Sequence, residues 1–414
     1  MAGARMFSST DSWLLKKLYA AIGSPPVRIA LKDGPAVGPK DGHVVAGLVI
    51  RDRATLMRIV VNPEVAFGEA YADGAVEIQG GLLTLLDAVY CPMAARGKSS
   101  WYPRLASWWL RLSQGNTRLG SRHNIHHHYD LGNQFYQLWL DRNLVYTCAY
   151  FPEPAATLEE AQAAKMNHVC RKVWLRPGER VVEAGCGWGS LALHMARHYG
   201  VKVKAFNISH EQIVYARWRA QQEGLDARVE FIEDDYRNIY GRFDAFVSVG
   251  MLEHVGREHY REMSKVIHRT IGDSGRGLLH FIGRNQRRPL NAWVRKRIFP
   301  GAYPPTLREV ADIFEPWDFV VLDVENLRLH YARTLEHWLE RFEGSRQQVA
   351  TMFDDRFVRI WRLYLAGSVA AFRAGSMQLF QVVFAGPQCK AIPWTRAYLY
   401  QPQPQSAGRM QAAD

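Results

Sequence analysis

Short apolar runs recur along the second two-thirds of the chain: "RVVEAG", "VKVKAFNI", "RVEFIEDD", "FDAFVSVG", "GLLHFIG", "FVVLDVENL" and "QLFQVVFAG". Each is of strand length and bounded by polar or glycine-containing segments, and most are separated by stretches with helical spacing of apolar positions. Strands that alternate with helices and are apolar on both faces build a mostly parallel sheet covered on both sides. The pattern therefore predicts an α/β, Rossmann-like domain over residues 124–400. Upstream, residues 42–90 read as a small α+β unit, with β-branched runs broken by Gly and Asp and then a leucine-rich helical end. Its domain is taken as residues 1–98, with a linker over 99–123 and a flexible tail over 401–414.

The first run of the larger domain ends in "EAGCGWG", a turn with Gly185, Gly187 and Gly189, which leads into a helical pattern. On parallel sheets ligands bind beyond the carboxyl ends of the strands, where the strand order reverses. Glycines there let the backbone approach a ligand at the positive end of the next helix. A nicotinamide dinucleotide would call for G-x-G-x-x-G and an acid closing the second strand. Here the third glycine falls one residue early and the second strand ends in Asn207, Ile208 and Ser209. Glu183, two residues before Gly185, suits a ligand ammonium, and Asp235 beside Tyr236 suits an adenine amine and ring face. Together these favour S-adenosylmethionine, hence a class I methyltransferase; a capping acid and a packing tyrosine are the plain alternative for the last pair.

Composition narrows the setting. The chain carries a net charge of +12, which attracts anionic lipid, nucleic acid or acidic substrates alike. No apolar run is long enough to span a bilayer, and the N-terminus shows no secretory pattern. The cysteines form no C-x-x-C pair, and their odd number fits a reduced, cytoplasmic protein. Trp101, Tyr102, Trp108 and Trp109 stand among Arg104 and Arg111, a composition that fits either a helix at a membrane surface or one packed on its neighbour. The stretch 284–297, "RNQRRPLNAWVRKR", is either a phosphate-binding segment or a solvated face. His126, His127 and His128 are adjacent and so diverge, which argues against a metal site.

Across nearly its whole length the chain resembles the cyclopropane-fatty-acyl-phospholipid synthase and mycolic acid cyclopropane synthase family. The motifs that carry the resemblance are "HHHYDLGNQFYQLWLD" (126–141), "YTCAYF" (146–151), "EAGCGWG" (183–189), "SVGMLEHVG" (248–256), "LLHFIG" (278–283), "RIFPGAYPP" (297–305) and "LRLHYARTLEHWLERF" (327–342). The block 62–80 resembles the N-terminal lipid-associated domain of longer bacterial members.

The resemblance implies transfer of a methylene group from S-adenosylmethionine to the cis double bond of an unsaturated phospholipid chain, with bound bicarbonate accepting the proton lost from a carbocation. The positions matching the bicarbonate site are Cys148, Glu253, His280, Ile282 (through its backbone) and Tyr331. Those matching the cofactor site are Tyr146, Thr147, Glu183, Gly185, Gly187, Asn207, Ile208, Gln212, Asp235 and Tyr236. Thr147 and Asn207 stand where the family often has Ser and Thr, and Glu183 where it often has Asp.

The aromatic and basic segment Trp101 to Arg111 and the basic stretch 284–297 suggest peripheral docking of a cytoplasmic enzyme at the inner face of the membrane, with a homodimer as one option and no nucleic-acid partner. Left open are a lipid C-methyltransferase making methyl- or methylene-branched chains, with or without a reductase partner, and a small-molecule N-methyltransferase. An RNA-binding methyltransferase would need a stacking motif that the chain does not show, and a catalytically dead lipid binder would be expected to lose Glu253 or the glycine turn.

Overall fold

The computed structural model describes residues 9–95 and 131–400. The segment from Trp101 to Arg111, the histidines His126, His127 and His128, and the tail 401–414 lie outside the described residues.

The N-terminal unit folds around a small sheet of β1 (Val27–Leu31), β2 (Ala36–Val37), β3 (Ala46–Ile50) and β4 (Val76–Gln79), in the order β2-β1-β3-β4. The helices Ser9–Ala21, Arg53–Val61, Pro63–Ala72 and Leu82–Ala95 complete it. The β-branched run "MRIVV" is helical here. Asp52 accepts from the Thr55 N–H at the start of that helix, and Leu56 and Ile59 turn inward, so a cap and a helical stripe override strand propensity.

The larger domain holds the seven expected strands: β5 (Arg180–Ala184), β6 (Lys202–Asn207), β7 (Val229–Glu233), β8 (Ala245–Val249), β9 (Arg276–Gly283), β10 (Val320–Asn326) and β11 (Gln378–Ala385). Their order is β10-β11-β9-β8-β5-β6-β7. β5 to β9 run parallel, whereas β11 pairs antiparallel with both β9 and β10. The order reverses at β5, which pairs with β6 on one side and β8 on the other. The glycine turn after β5 therefore lies at the switch point, where a parallel sheet opens a crevice. Edge strand β10 exposes Val320, Val321 and Val324 and carries a register shift between Val321 and Asp323.

The two units share a joint. The long helix Asp355–Arg373 packs against Arg328–Gly344 and against the helices Pro63–Ala72 and Leu82–Ala95. Arg297 clamps Glu69 with two bonds of 2.7 Å, and Arg356 bonds Glu69 and Asp73, each at 2.8 Å. Trp293 lies so close over Gly68 that an added Cβ would come within 2.5 Å of the indole. The basic stretch 284–297 thus divides: Lys296 and Arg297 pair with Glu69 at the joint, while Arg284 and Arg287 line a cavity.

Candidate active site

The turn after β5 supports itself. Gly185 and Cys186 donate their N–H groups to Phe206 O at 2.9 and 3.1 Å, and Gly189 donates to Cys186 O at 2.9 Å. Gly189 opens the helix Ser190–Tyr199 at φ 83°, and a Cβ there would meet the Phe231 ring at 2.5 Å. At Gly185 a Cβ would meet Met251 at 2.9 Å. Gly187 differs: at φ 54° it has nothing within 4 Å of an added Cβ, so its backbone faces open space. Asn207 Nδ2 ties the turn to the next strand end, donating to Gly187 O at 3.3 Å and to Gln212 Oε1 at 2.7 Å. Ile208 follows, half-buried.

Glu183 is buried at the end of β5, and its Oε2 has no hydrogen-bond partner among the described residues. Burial pushes its carboxyl up to about 8. An ammonium group at this point would satisfy that oxygen, which fits the methionine end of S-adenosylmethionine. Asp235 caps the turn Tyr236–Asn238 and grips Arg237, with Nε–Oδ1 and Nη2–Oδ2 both 2.8 Å. Tyr236 carries the Arg237 guanidinium 5.5 Å from its ring centroid.

The five residues matched to the bicarbonate site come from four segments, with His280 and Ile282 both on β9, and backbone contacts link Glu253, Ile282, Tyr331 and Cys148. Glu253 lies on the short helix Leu252–Val255 just beyond β8, and its Oε1 accepts from the Ile282 N–H. His280 stands two residues before Ile282 on β9. Ile282 is in register with Leu379, whose carbonyl accepts from Leu327 N at 2.8 Å. Leu327 O in turn accepts from Tyr331 N at 3.0 Å and faces the Cys148 thiol at 3.9 Å. Cys148, Leu327, Tyr331, Leu379 and Ile282 belong to one apolar cluster.

Two atoms at this place are buried without a partner among the described residues: Glu253 Oε2 and His280 Nε2. Burial raises the Glu253 carboxyl to about 7 and drives His280 well below the usual histidine range, so the ring is neutral. Gln381 Nε2 lies 3.1 Å from His280 Nδ1. In that arrangement Nδ1 accepts and Nε2 carries the proton. Each of the two unpartnered atoms is costly left alone, and each is one that a small ion able both to donate and to accept would satisfy. The Cys148 thiol donates to Ala149 O at 3.1 Å, and burial lifts its pKa well above the ordinary thiol range.

Aromatic rings wall the same region. Trp338 lies 5.3 Å from Tyr146 and 5.9 Å from Tyr331, and Tyr146 lies 5.2 Å from Trp139. The Tyr146 and Tyr364 hydroxyls are 2.9 Å apart.

Sequence reasoning missed Lys165, Asp141 and Gln381. Lys165 is 1% exposed, donates to Thr147 Oγ1 at 3.0 Å, and lies within electrostatic reach of Asp141, Cys148 and Glu183. Burial brings its ammonium down to about 8. The signal was present: Lys165 falls on the same helical stripe as Ala161, Met166 and Val169, where a lysine is out of place unless paired.

A mostly parallel sheet with a glycine turn at its order reversal and an orphaned acid beneath that turn define a class I S-adenosylmethionine-dependent methyltransferase. The solved structure of mycolic acid cyclopropane synthase CmaA1 complexed with SAH and CTAB matches at a TM-score of 0.61 and 27% identity, covering 64% of this chain and 97% of that one. Residues 117–382 match the family described as mycolic acid cyclopropane synthetase, and the chain belongs to that family. It is 37% identical to the cyclopropane-fatty-acyl-phospholipid synthase of Escherichia coli (strain K12), over 83% of this chain and 89% of that protein. It is 40% identical to a probable fatty acid methyltransferase of Pseudomonas putida, over 67% of this chain and 73% of that protein. Residues 14–95 match a domain described only as of unknown function.

Proposed function

We propose that this protein transfers a methylene group from S-adenosylmethionine onto the cis double bond of an unsaturated phospholipid acyl chain, with a bound bicarbonate taking up the proton from the carbocation. The observation that carries the reading is the pair of buried, unpartnered atoms Glu253 Oε2 and His280 Nε2, one acceptor and one donor beside β9. When bound, S-adenosylmethionine supplies an electrophilic methyl group and bicarbonate a proton acceptor. Gly187, Asn207, Gln212 and Glu183 would hold the methionine end, with Tyr146, Thr147, Gly185, Ile208, Asp235 and Tyr236 completing the cofactor site. His280, Glu253, Cys148, Tyr331 and the Ile282 backbone would hold the ion.

An alkene is a weak nucleophile, so its reaction needs close alignment in a dry cavity. The ring faces of Tyr146, Trp338 and Tyr331 exclude water and stabilise positive charge without reacting. The raised pKa of Cys148 keeps the site's own thiol protonated, so that no thiolate competes for the methyl group or the cation. The net charge of +12 supports peripheral docking at the anionic inner face of the membrane from the cytoplasm. Binding to anionic vesicles should then weaken as salt rises.

The test is incubation with vesicles of cis-monounsaturated phospholipid and methyl-labelled S-adenosylmethionine, followed by mass and proton NMR analysis of the acyl chains. One added CH2 with high-field cyclopropyl protons is the expected result. The same mass gain without those protons would establish the second reading, a lipid C-methyltransferase, which the similarity to the Pseudomonas putida protein favours. No label in lipid would overturn both.

A further inference from the structure

Just outside the Glu253–Ile282 contact, the chain builds a cavity of about 680 Å³ whose lining includes Arg257, Arg284, Arg287, Arg308, Glu309 and Asp312. That size lies within the roughly 300–1,000 Å³ range of small-ligand sites. We propose that it receives the phosphodiester of the phospholipid whose acyl chain occupies the active site. The inference rests on the lipid-modifying function proposed above and names where that substrate's headgroup is held.

Position is the first argument. Arg284 follows Ile282 by two residues, and its N–H donates to Pro305 O at 2.8 Å. Tyr303 joins the two sites: its N–H donates to Glu253 O at 2.8 Å, and its hydroxyl donates to Glu309 Oε1 at 2.9 Å. The segment that backs the Glu253 helix therefore also forms the cavity wall. On this proposal a chain held at Glu253 has its polar end placed toward these arginines by the segment that joins the two sites.

Charge is the second. Glu309 is already engaged by the Thr306 N–H and hydroxyl and by Tyr303, with Arg287 at 3.2 Å and Arg257 at 3.6 Å. Asp312 lies 3.8 Å from Arg257. Arg284 and Arg308 have no ion pair among the described residues, so the cavity has cationic capacity left over.

The third argument is burial. Arg284 is only 7% exposed. Its Nη1 donates to Pro289 O at 2.7 Å, whereas its Nε has no partner among the described residues. A guanidinium N–H buried without a partner, on a residue that lines the cavity, calls for an acceptor, and a phosphodiester oxygen entering beside Arg284 would supply one.

The test uses the full-length enzyme in neutral-detergent micelles, which removes attraction to a charged membrane surface. Labelled-methyl transfer is measured on phosphatidylglycerol and on diacylglycerol with the same cis-monounsaturated chains. The expected result is that Arg308→Gln and Arg284→Lys each reduce the advantage of phosphatidylglycerol over diacylglycerol in kcat/KM by roughly tenfold or more, as for loss of a charged hydrogen bond. Glycerophosphoglycerol should compete against phosphatidylglycerol in the wild type and much less in the variants. Arg308 is exposed, so its variant remains informative if Arg284→Lys fails to fold.

An undiminished preference in Arg308→Gln, with no competition by glycerophosphoglycerol, would overturn the proposal. Competition by inorganic phosphate alone would overturn it too, and would assign the cavity to free phosphate. Failure of the wild type to label either lipid would sink the lipid reading itself, an outcome distinct from these.

Discussion

Glu253→Gln separates what the site does for chemistry from what it costs in stability. The substitution keeps the shape of the side chain and an oxygen for the Ile282 N–H, and removes the charge and the second acceptor. The buried carboxyl has moved from 4.5 to about 7, with burial as the main cause. Each factor of ten in an ionisation constant corresponds to about 1.4 kcal/mol, so the ionised group costs the fold on the order of 3 kcal/mol at pH 8. A carboxyl raised on folding contributes stability that is present below its unfolded pKa and lost as pH rises through the folded one. Relative to wild type, Glu253→Gln should therefore gain stability with rising pH across about 4.5 to 7, most at pH 8 and only about 1 kcal/mol at pH 5.

Turnover should move the other way. Loss of a hydrogen bond to a charged group is worth about 1.5–3 kcal/mol, or roughly ten- to a hundredfold in rate. Urea unfolding at both pH values, labelled-methyl transfer, and calorimetric titration with S-adenosylmethionine read the three quantities. A variant less stable than wild type at pH 8, or one with unchanged turnover, would refute the reasoning. Cofactor affinity should change little.

Further outcomes follow from other residues. Gly187→Ala should cost about 1–2 kcal/mol for its left-handed backbone yet fold, with S-adenosylmethionine affinity falling sharply in calorimetry. Gly189→Ala should cost a further 1–3 kcal/mol, because its Cβ meets the Phe231 ring and Ala216; equal urea midpoints for the two variants would contradict this. Lys165→Met leaves Asp141 and Glu183 without their buried cation and should destabilise by about 3–5 kcal/mol. Because Glu183 is a raised carboxyl, that loss should deepen as pH rises, which a urea series from pH 5 to 9 would show. Gly68→Ala should destabilise the joint by about 1–3 kcal/mol through the Trp293 indole, and adding Trp293→Leu should recover part of it; strictly additive effects would remove the contact from the account.

Much of the fold was legible because it is written locally. All seven strands of the larger domain were readable from short apolar runs: β5, β8, β9 and β11 because a strand buried on both faces needs a nearly unbroken run, and β6, β7 and the exposed edge strand β10 from their β-branched and aromatic residues. The glycine turn was readable because positive φ and close contacts at Gly185 and Gly189 demand glycine. Within the α+β block 42–90 the β-branched run "MRIVV" does not by itself say helix or strand; the Asp52 cap and the burial of Leu56 and Ile59 make it helical.

What the sequence determined by itself is the set of elements and the residue types available to the site. The tertiary structure decided their partners. It set β11 antiparallel between β9 and β10, brought Cys148 to Leu327 across 179 residues, and placed Gln381 on His280 across 101. It also divided one basic stretch into a joint on Glu69 and a cavity wall at Arg284. Local periodicity records which face of an element is buried, but the partner of a buried charge such as Lys165 is chosen by packing between distant segments, and no local pattern records that choice.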